Sequence, residues 1–172
     1  FDTAEVYGPF TSEELLARGL GNRRKDVVVV TKVGFVYHDD VAVRGSAAIA
    51  GRNASAANIT EHTEGCLKRL DTDYIDLMLI HWPDHKTQHD ETMGALESLK
   101  AAGKIRHYGV SKYTVPMMAE CEQHGHLAAN QVGYHLFDRR MEAEVLPYCL
   151  EHGIGFMAYG SLGFGLLTGA FT

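Results

Sequence analysis

The chain has 172 residues, enough for one domain with a sizeable core, and 45% of them are hydrophobic against 22% charged. Its formal net charge of -6 argues against a general nucleic-acid binder or a protein that sits on anionic membranes. No run of about 18 apolar residues occurs, so no membrane-spanning helix is expected. No basic stretch followed by an apolar one opens the chain, so no secretion signal is read, and a cytoplasmic protein is expected.

In chain order, FDTAEVYG comes first. Phe1-Asp2 reads as the tail of a strand, and Asp2 and Tyr7 follow one another closely, as active-site groups do. Thr11-x-x-Glu14 has the spacing of a capping box before SEELLARGL, with Gly21 as the stop. Residues 27–32 (VVVVTK) form a short apolar run rich in β-branched residues, which predicts a strand buried on both faces. Asp39-Asp40 reads as a solvated loop. The small-residue stretch 41–58 reads as a long loop over the mouth of the fold, the kind that serves as a lid. Residues 57–70 predict a helix with Ile59, Cys66, Leu67 and Leu70 on one stripe. Residues 74–81 (YIDLMLIH), 105–111 (IRHYGVS), 128–132 (AANQV) and 154–159 (IGFMAY) predict four further strands. Helices are expected over 90–102, 115–124 and 141–151, with Gly103, Gly125 and Gly153 as left-handed stops and Pro116 in a first turn.

Strict alternation of strand and helix means a parallel sheet with right-handed crossovers. Two architectures fit, an open doubly wound sheet or a (β/α)8 barrel. No G-x-G-x-x-G follows a strand, which weakens the dinucleotide version of the open sheet. Asp2, Lys32, His81, Ser111, Gln131 and Tyr159 all fall at or near the C-terminal ends of strands. In a barrel those ends form one mouth, where catalytic groups collect. The expectation is a (β/α)8 barrel, incomplete within residues 1–172: a single partial domain of about six of the eight βα units, since a whole barrel takes about 250 residues. A parallel barrel lacking strands has unpaired edges, so these residues alone are expected to fold poorly.

The chemistry can be read residue by residue. Lys32 ends an apolar strand and is either a snorkelling rim residue or a functional cation. Asp2 is its natural counter-ion. Tyr7 carries a phenol whose pKa a nearby ammonium lowers, making a proton donor usable near neutral pH. His81, followed by Trp82-Pro83-Asp84, is either a core histidine or a catalytic one. No second catalytic carboxylate is obvious, which disfavours glycoside hydrolysis. His81, His85 and His89 do not make a metal site, because Pro83 breaks the segment, and no metal is expected. Cys66, Cys121 and Cys149 show no metal or disulfide spacing and read as buried thiols of a reducing compartment. Arg139-Arg140 reads as solvent-facing or as capping an acidic neighbour, Met117-Met118 as helix packing, and the two N-x-S/T sequons at Asn53 and Asn58 as chance.

DTAEVYG, VVVVTKVGF, LDTDYIDLMLIHWPD with GKIRHYGVSKY, NQVGYHLFDRR and AYGSLGFGLLTG, in this order and spacing, together resemble the aldo-keto reductases nearly end to end. The resemblance implies a (β/α)8 barrel that moves a hydride between NADP(H) and a small carbonyl substrate. It implies that Tyr7 is the proton donor, that Lys32 lowers its pKa, that Asp2 orients Lys32, and that His81 binds the substrate oxygen. It implies that Ser111 and Gln131 hold the nicotinamide carboxamide, that Tyr159 stacks on the ring, that Gly160 and Leu162 lie at the turn beside the pyrophosphate, and that Trp82 lines the substrate pocket. Two positions depart from the family pattern: Lys112 stands where asparagine is common, and Gly160 where serine is. The family's segment for the 2′-phosphate and its C-terminal specificity loop are expected downstream of residue 172. The HLF-type segment and AYGSLGFGLLTG look most like bacterial, general-stress-type members, which points to small aldehydes. Two alternatives stay open: a Schiff-base aldolase using Lys32, against which an Asp2 partner argues, and a nucleotide-binding module without turnover. No nucleic-acid or membrane partner is expected, and the oligomeric state is left open.

Overall fold

The computed structural model describes residues 1–8, 10–38 and 45–170. Its strands are β1 (Val30–Val33), β2 (Phe35–Tyr37), β3 (Ile49–Arg52), β4 (Ile75–Ile80), β5 (Ile105–Ser111), β6 (Ala129–Gly133) and β7 (Gly155–Tyr159). Its α-helices are α1 (Thr11–Leu20), α2 (Ala56–Arg69), α3 (His89–Ala101), α4 (Val115–Cys121) and α5 (Val145–Glu151). Five strands make one sheet in the order β1-β4-β5-β6-β7, every pair parallel. This is part of a (β/α)8 barrel. Asp2 bridges Val30 in parallel, on the side of β1 away from β4.

The runs of β1 and β4 become strands because both of their faces are covered, whereas β7, also expected to be buried on both faces, is exposed at Gly155, Ala158 and Tyr159 at the end of the sheet. All four residues of β1 are buried, and so are Ile75, Met78, Leu79 and Ile80 of β4. Ile59 and Cys66 of α2, with Met93, Leu96 and Leu99 of α3, cover the outer face. Each fully buried aliphatic side chain stabilises the fold by about 1.5–3 kcal/mol. The stripe of Ile59, Cys66, Leu67 and Leu70 is buried as its spacing predicts, and Met118 is fully buried. All three cysteines are free and buried; burial pushes the Cys121 thiol up to about 12, so none is a reactive thiolate at neutral pH. At the base of the sheet, the Asp76 carboxylate accepts from Val29 N (3.0 Å) and pairs with Arg24 and Arg106, both at 2.9 Å. Among the described residues no helix is long and apolar enough to cross a membrane.

Several sequence expectations change. Thr11 does not cap α1: the helix starts from Phe10, left-handed at φ 63 with no side-chain cap, and the Thr11 hydroxyl turns back to Gly8 O. The chain enters α1 straight from the tight turn that holds Tyr7, so Thr11 is already helical. The stretch 41–58 is not one long loop. Residues 49–52 form β3, antiparallel to β2, and α2 begins at Ala56 on the Ser55 cap. Asn58 ties this hairpin to the helix by donating to Phe35 O (3.3 Å) and Asn53 O (2.8 Å). Asp39-Asp40 and the start of the expected lid, 41–44, lie outside the described residues. The last two helices are shorter than their patterns, 115–121 and 145–151. Gly21, Gly103 and Gly153 take positive φ as left-handed stops, but Gly125 does not. Its role is spatial, because a Cβ there would collide with the Tyr108 hydroxyl.

Gly109 sits where β5 meets β6. A Cβ there would overlap Ala129 O and lie 3.0 Å from Ala129 N, backbone that cannot move without breaking the sheet. Gly94, on the exposed side of α3, has nothing within 4 Å of a built Cβ. In the full-length protein, Gly109→Ala is expected to lower the unfolding free energy by about 3 kcal/mol. Gly94→Ala is expected to raise it by about 0.5–1 kcal/mol through helix propensity. Urea denaturation of the two variants reads both signs.

Candidate active site

The C-terminal ends of the strands open into a cleft of about 510 Å³ lined by Asp2, Tyr7, His81, Trp82, Lys112, Gln131 and Tyr159. Lys32 lies beneath it, only 1% exposed, so it does not snorkel. Burying an ammonium without a partner costs several kcal/mol. Lys32 therefore pairs with the Asp2 carboxylate and donates to Thr3 O at 2.8 Å. Burial lowers its pKa, and the Asp2 hydrogen bond and charge oppose that shift.

Tyr7 is held by a tight turn, its amide donating to Ala4 O (3.0 Å) and its carbonyl accepting from Ser12 N (3.1 Å). Its ring lies 5.1 Å from Lys32 Nζ and edge-on to His81 at 5.8 Å. The expected fall in its pKa is not found. Burial raises it, and the Asp2 charge and Tyr159 raise it further. Lys32, paired with Asp2, does not reverse that rise. The phenol is therefore protonated at neutral pH.

His81 follows β4 directly, its amide donating to Val33 O at 2.9 Å and its ring lying 5.0 Å from that of Phe35. Burial, then the charges of Lys112 and Lys32, press its pKa down to about 3, so the imidazole is neutral. Its Nδ1 is buried and has no hydrogen-bond partner among the described residues.

Across the sheet, the Ser111 hydroxyl donates to Gln131 O at 2.9 Å, and the Gln131 amide donates to Asp2. Ser111 is fully buried and does not line the cleft. Lys112 lies across it, its Nζ donating to Ser111 Oγ (2.9 Å) and His81 O (3.3 Å). Tyr159 ends β7 with its ring part-exposed; a Cβ at Gly133 would stand 3.2 Å from its hydroxyl. Gly160 and Leu162 follow in a glycine-rich turn beside the cleft, outside its lining, with φ of 68 at Gly160 and 59 at Gly163. Trp82 lines the cleft, 37% exposed. Arg139 pairs with Glu142 and Arg140 with Asp138, as acidic neighbours lead one to expect.

Sequence reasoning missed a second charged layer behind Tyr7. Glu5 and Glu13 are fully buried. His62 Nδ1 lies 2.8 Å from Glu5 Oε2, and Arg69 Nε pairs with Glu13 at 2.7 Å, while the Thr31 hydroxyl donates to Glu13. The signal was there in the spacing: Glu13 shares a helical face with Leu16 and Leu20, and His62 and Arg69 share the stripe of Ile59 and Cys66.

The aldo/keto reductase family model matches residues 1–172. The chain is 39% identical to the aldo-keto reductase YhdN of Bacillus subtilis, an alignment covering 99% of this chain and 50% of that protein. It is 36% identical to the NADH-specific methylglyoxal reductase of Escherichia coli, covering 99% of this chain and 54% of that one. A solved aldo/keto reductase from Klebsiella pneumoniae, in complex with NADP and acetate, superposes with a TM-score of 0.82 at 35% identity, over 98% of this chain and 55% of that chain. The chain belongs to the aldo/keto reductase family. It spans about half the length of the relatives it matches.

The His81 environment sets a pH dependence. The unfolded chain binds a proton at this imidazole near pH 6.5, the folded chain only near 3. Between those values the unfolded state holds more protons, so this group adds stability that is present above about pH 6.5 and lost as pH falls. His81→Asn is expected to flatten the fall in unfolding free energy between pH 6.5 and 4. Denaturant titrations at stepped pH compare the two slopes.

Proposed function

We propose that the full-length protein is an NADP(H)-dependent oxidoreductase that reduces the carbonyl group of small aldehydes and ketones to an alcohol, with Tyr7 as proton donor. Residues 1–172 are then part of one barrel domain. The observation that carries this reading is the pairing of a protonated phenol and a neutral imidazole at one cleft, above the buried Lys32–Asp2 pair.

The residues present fit a nicotinamide cofactor. No side chain of the cleft can give up a hydride, so the reaction needs a group that can. Tyr159 offers an aromatic face at the edge of the cleft, steadied by Gly133. Left-handed glycines follow it and let the backbone approach a phosphate closely. Tyr159 would stack on the nicotinamide, Gln131 would hold its carboxamide with Ser111 bonded to the Gln131 carbonyl behind it, and the backbone at Gly160 and Leu162 would lie by the pyrophosphate. When bound, the cofactor supplies the hydride that adds to the carbonyl carbon. Trp82 walls the substrate side.

As the carbonyl oxygen gains electron density, the Tyr7 hydroxyl gives it a proton and becomes phenolate. The phenolate, with the Lys32–Asp2 pair beneath it, recovers its proton from solvent. The raised pKa of Tyr7 keeps it in the donating form at rest. His81, being neutral, orients the carbonyl oxygen through a hydrogen bond without competing as an acid. The Escherichia coli relative is named as a reductase of methylglyoxal, a small dicarbonyl, which supports the substrate class. That relative is NADH-specific and the Klebsiella pneumoniae protein was solved with NADP, so both cofactors belong in the assay. The aldolase reading fares worse, because Lys32 is buried and paired where a Schiff-base lysine needs to be free.

With a panel of small aldehydes, the full-length protein is expected to oxidise NADPH, followed by the loss of its absorbance. Tyr7→Phe is expected to lower kcat by about 10²–10⁴-fold while cofactor affinity holds. Cofactor binding without turnover in the unaltered protein would favour the binding-module reading instead.

A further inference from the structure

Trp82 carries two cations. The Arg52 guanidinium, at the end of β3, lies 4.6 Å from the centre of its indole, and Lys112 Nζ lies 4.5 Å from it. Every hydrogen-bond partner of these two groups among the described residues is neutral: Pro83 O for Arg52 (3.3 Å), His81 O and Ser111 Oγ for Lys112. Arg52 is exposed and Lys112 half-buried; the buried Lys32 and the half-buried Arg69 and Arg24 behave differently. Lys32 has Asp2, Arg69 has Glu13 and Arg24 has Asp76. Among the described residues neither group has a hydrogen-bonded carboxylate, and the Asp2 charge in the same cleft reaches Lys112 only through space.

Lys112 is also placed against local preference. Its backbone is left-handed, φ 64, a region that glycine and asparagine tolerate better than a long side chain does. That geometry turns the side chain back over the cleft, where Nζ stands 5.0 Å from the Tyr159 ring as well as beside Trp82. Burial and the nearby charges of Lys32 and Arg52 hold its pKa down to about 8 against the opposing Asp2 charge, and a further anion placed beside it would relieve that repulsion.

We propose that Lys112 is a specificity-determining residue that binds an anionic group of the substrate, reinforced by Arg52 across Trp82, so that the cleft selects carbonyl compounds bearing a carboxylate over uncharged ones of the same size. The inference rests on the carbonyl-reductase reading of the same cleft. Lys112 lines the same cleft as His81 and Tyr7, so a carboxylate bound at its ammonium and the carbonyl of the same small molecule share one space. Charge-assisted hydrogen bonds from ammonium to carboxylate are about twice as strong as neutral ones, which is what discrimination against an uncharged isostere needs.

The test compares succinic semialdehyde with isocaproaldehyde, its uncharged isostere, in the full-length protein. The expected ratio of kcat/KM is at least about tenfold in favour of the anion. Lys112→Met is expected to bring the ratio near one, mostly through KM for the anion, and Lys112→Arg to retain it. Taking the ratio removes any general loss of activity. A ratio near one in the unaltered protein, or one that survives Lys112→Met, overturns the proposal. Calorimetry with succinate, which cannot be reduced, separates the two readings. Binding at saturating cofactor that disappears in Lys112→Met supports the subsite even if no aldehyde turns over, and only the reductase reading then fails. If succinate is displaced by NADPH, and Lys112→Met loses NADPH affinity instead, the charge serves a cofactor phosphate and the substrate subsite is refuted.

Discussion

A lysine ammonium at the end of a buried strand is the constraint on which the rest of the cleft depends. β1 is covered on both faces, so Lys32 has no route to water, and its charge survives only because Asp2 and Thr3 O reach it from the neighbouring segment. That requirement fixes where residues 1–8 run. It brings Asp2 alongside Val30, and the turn that follows sets Tyr7 over Lys32 and against His81. Removing Asp2 would strand the Lys32 ammonium in the interior, whereas Asp2, 41% exposed, would keep contact with water if Lys32 were removed. The proton-donating geometry and the stability of the segment are therefore one property.

The second charged layer extends this coupling outward. Glu5 lies in the same turn as Tyr7, and its carboxylate faces His62 and Arg69 on α2. Arg69 in turn holds Glu13 on α1. The loop is thus anchored on one side by the interior ammonium and on the other by the helical layer. Backbone strain is tolerated at the exit of this loop, where left-handed Phe10 is held by packing of Arg69 and Tyr37 on its ring.

Strands and the positions of polar residues were legible because the strands read as short apolar runs, each with a polar residue at its end, even β7, whose residues are exposed or half-exposed. Lys32, His81, Ser111, Gln131 and Tyr159 stand at or near those ends in the structure, and Asp2 alongside β1. Where the reading erred, the deciding contact was distant in sequence. The β2–β3 hairpin is short, glycine-containing and tied down by Asn58, which periodicity does not reveal. The direction of the Tyr7 shift is set first by burial and then by the Asp2 charge, and only the folded chain shows both. Lys112 stood out in the sequence as a departure from a family pattern, but its position over Trp82 and Tyr159 follows from a backbone angle.

Asp2 accepts hydrogen bonds from two residues that meet only in three dimensions, Lys32 on β1 and Gln131 on β6. Each donor takes its own oxygen of the carboxylate, so Asp2 works as a strut across the mouth between β1 and β6, and the same charge is felt at the Tyr7 phenol.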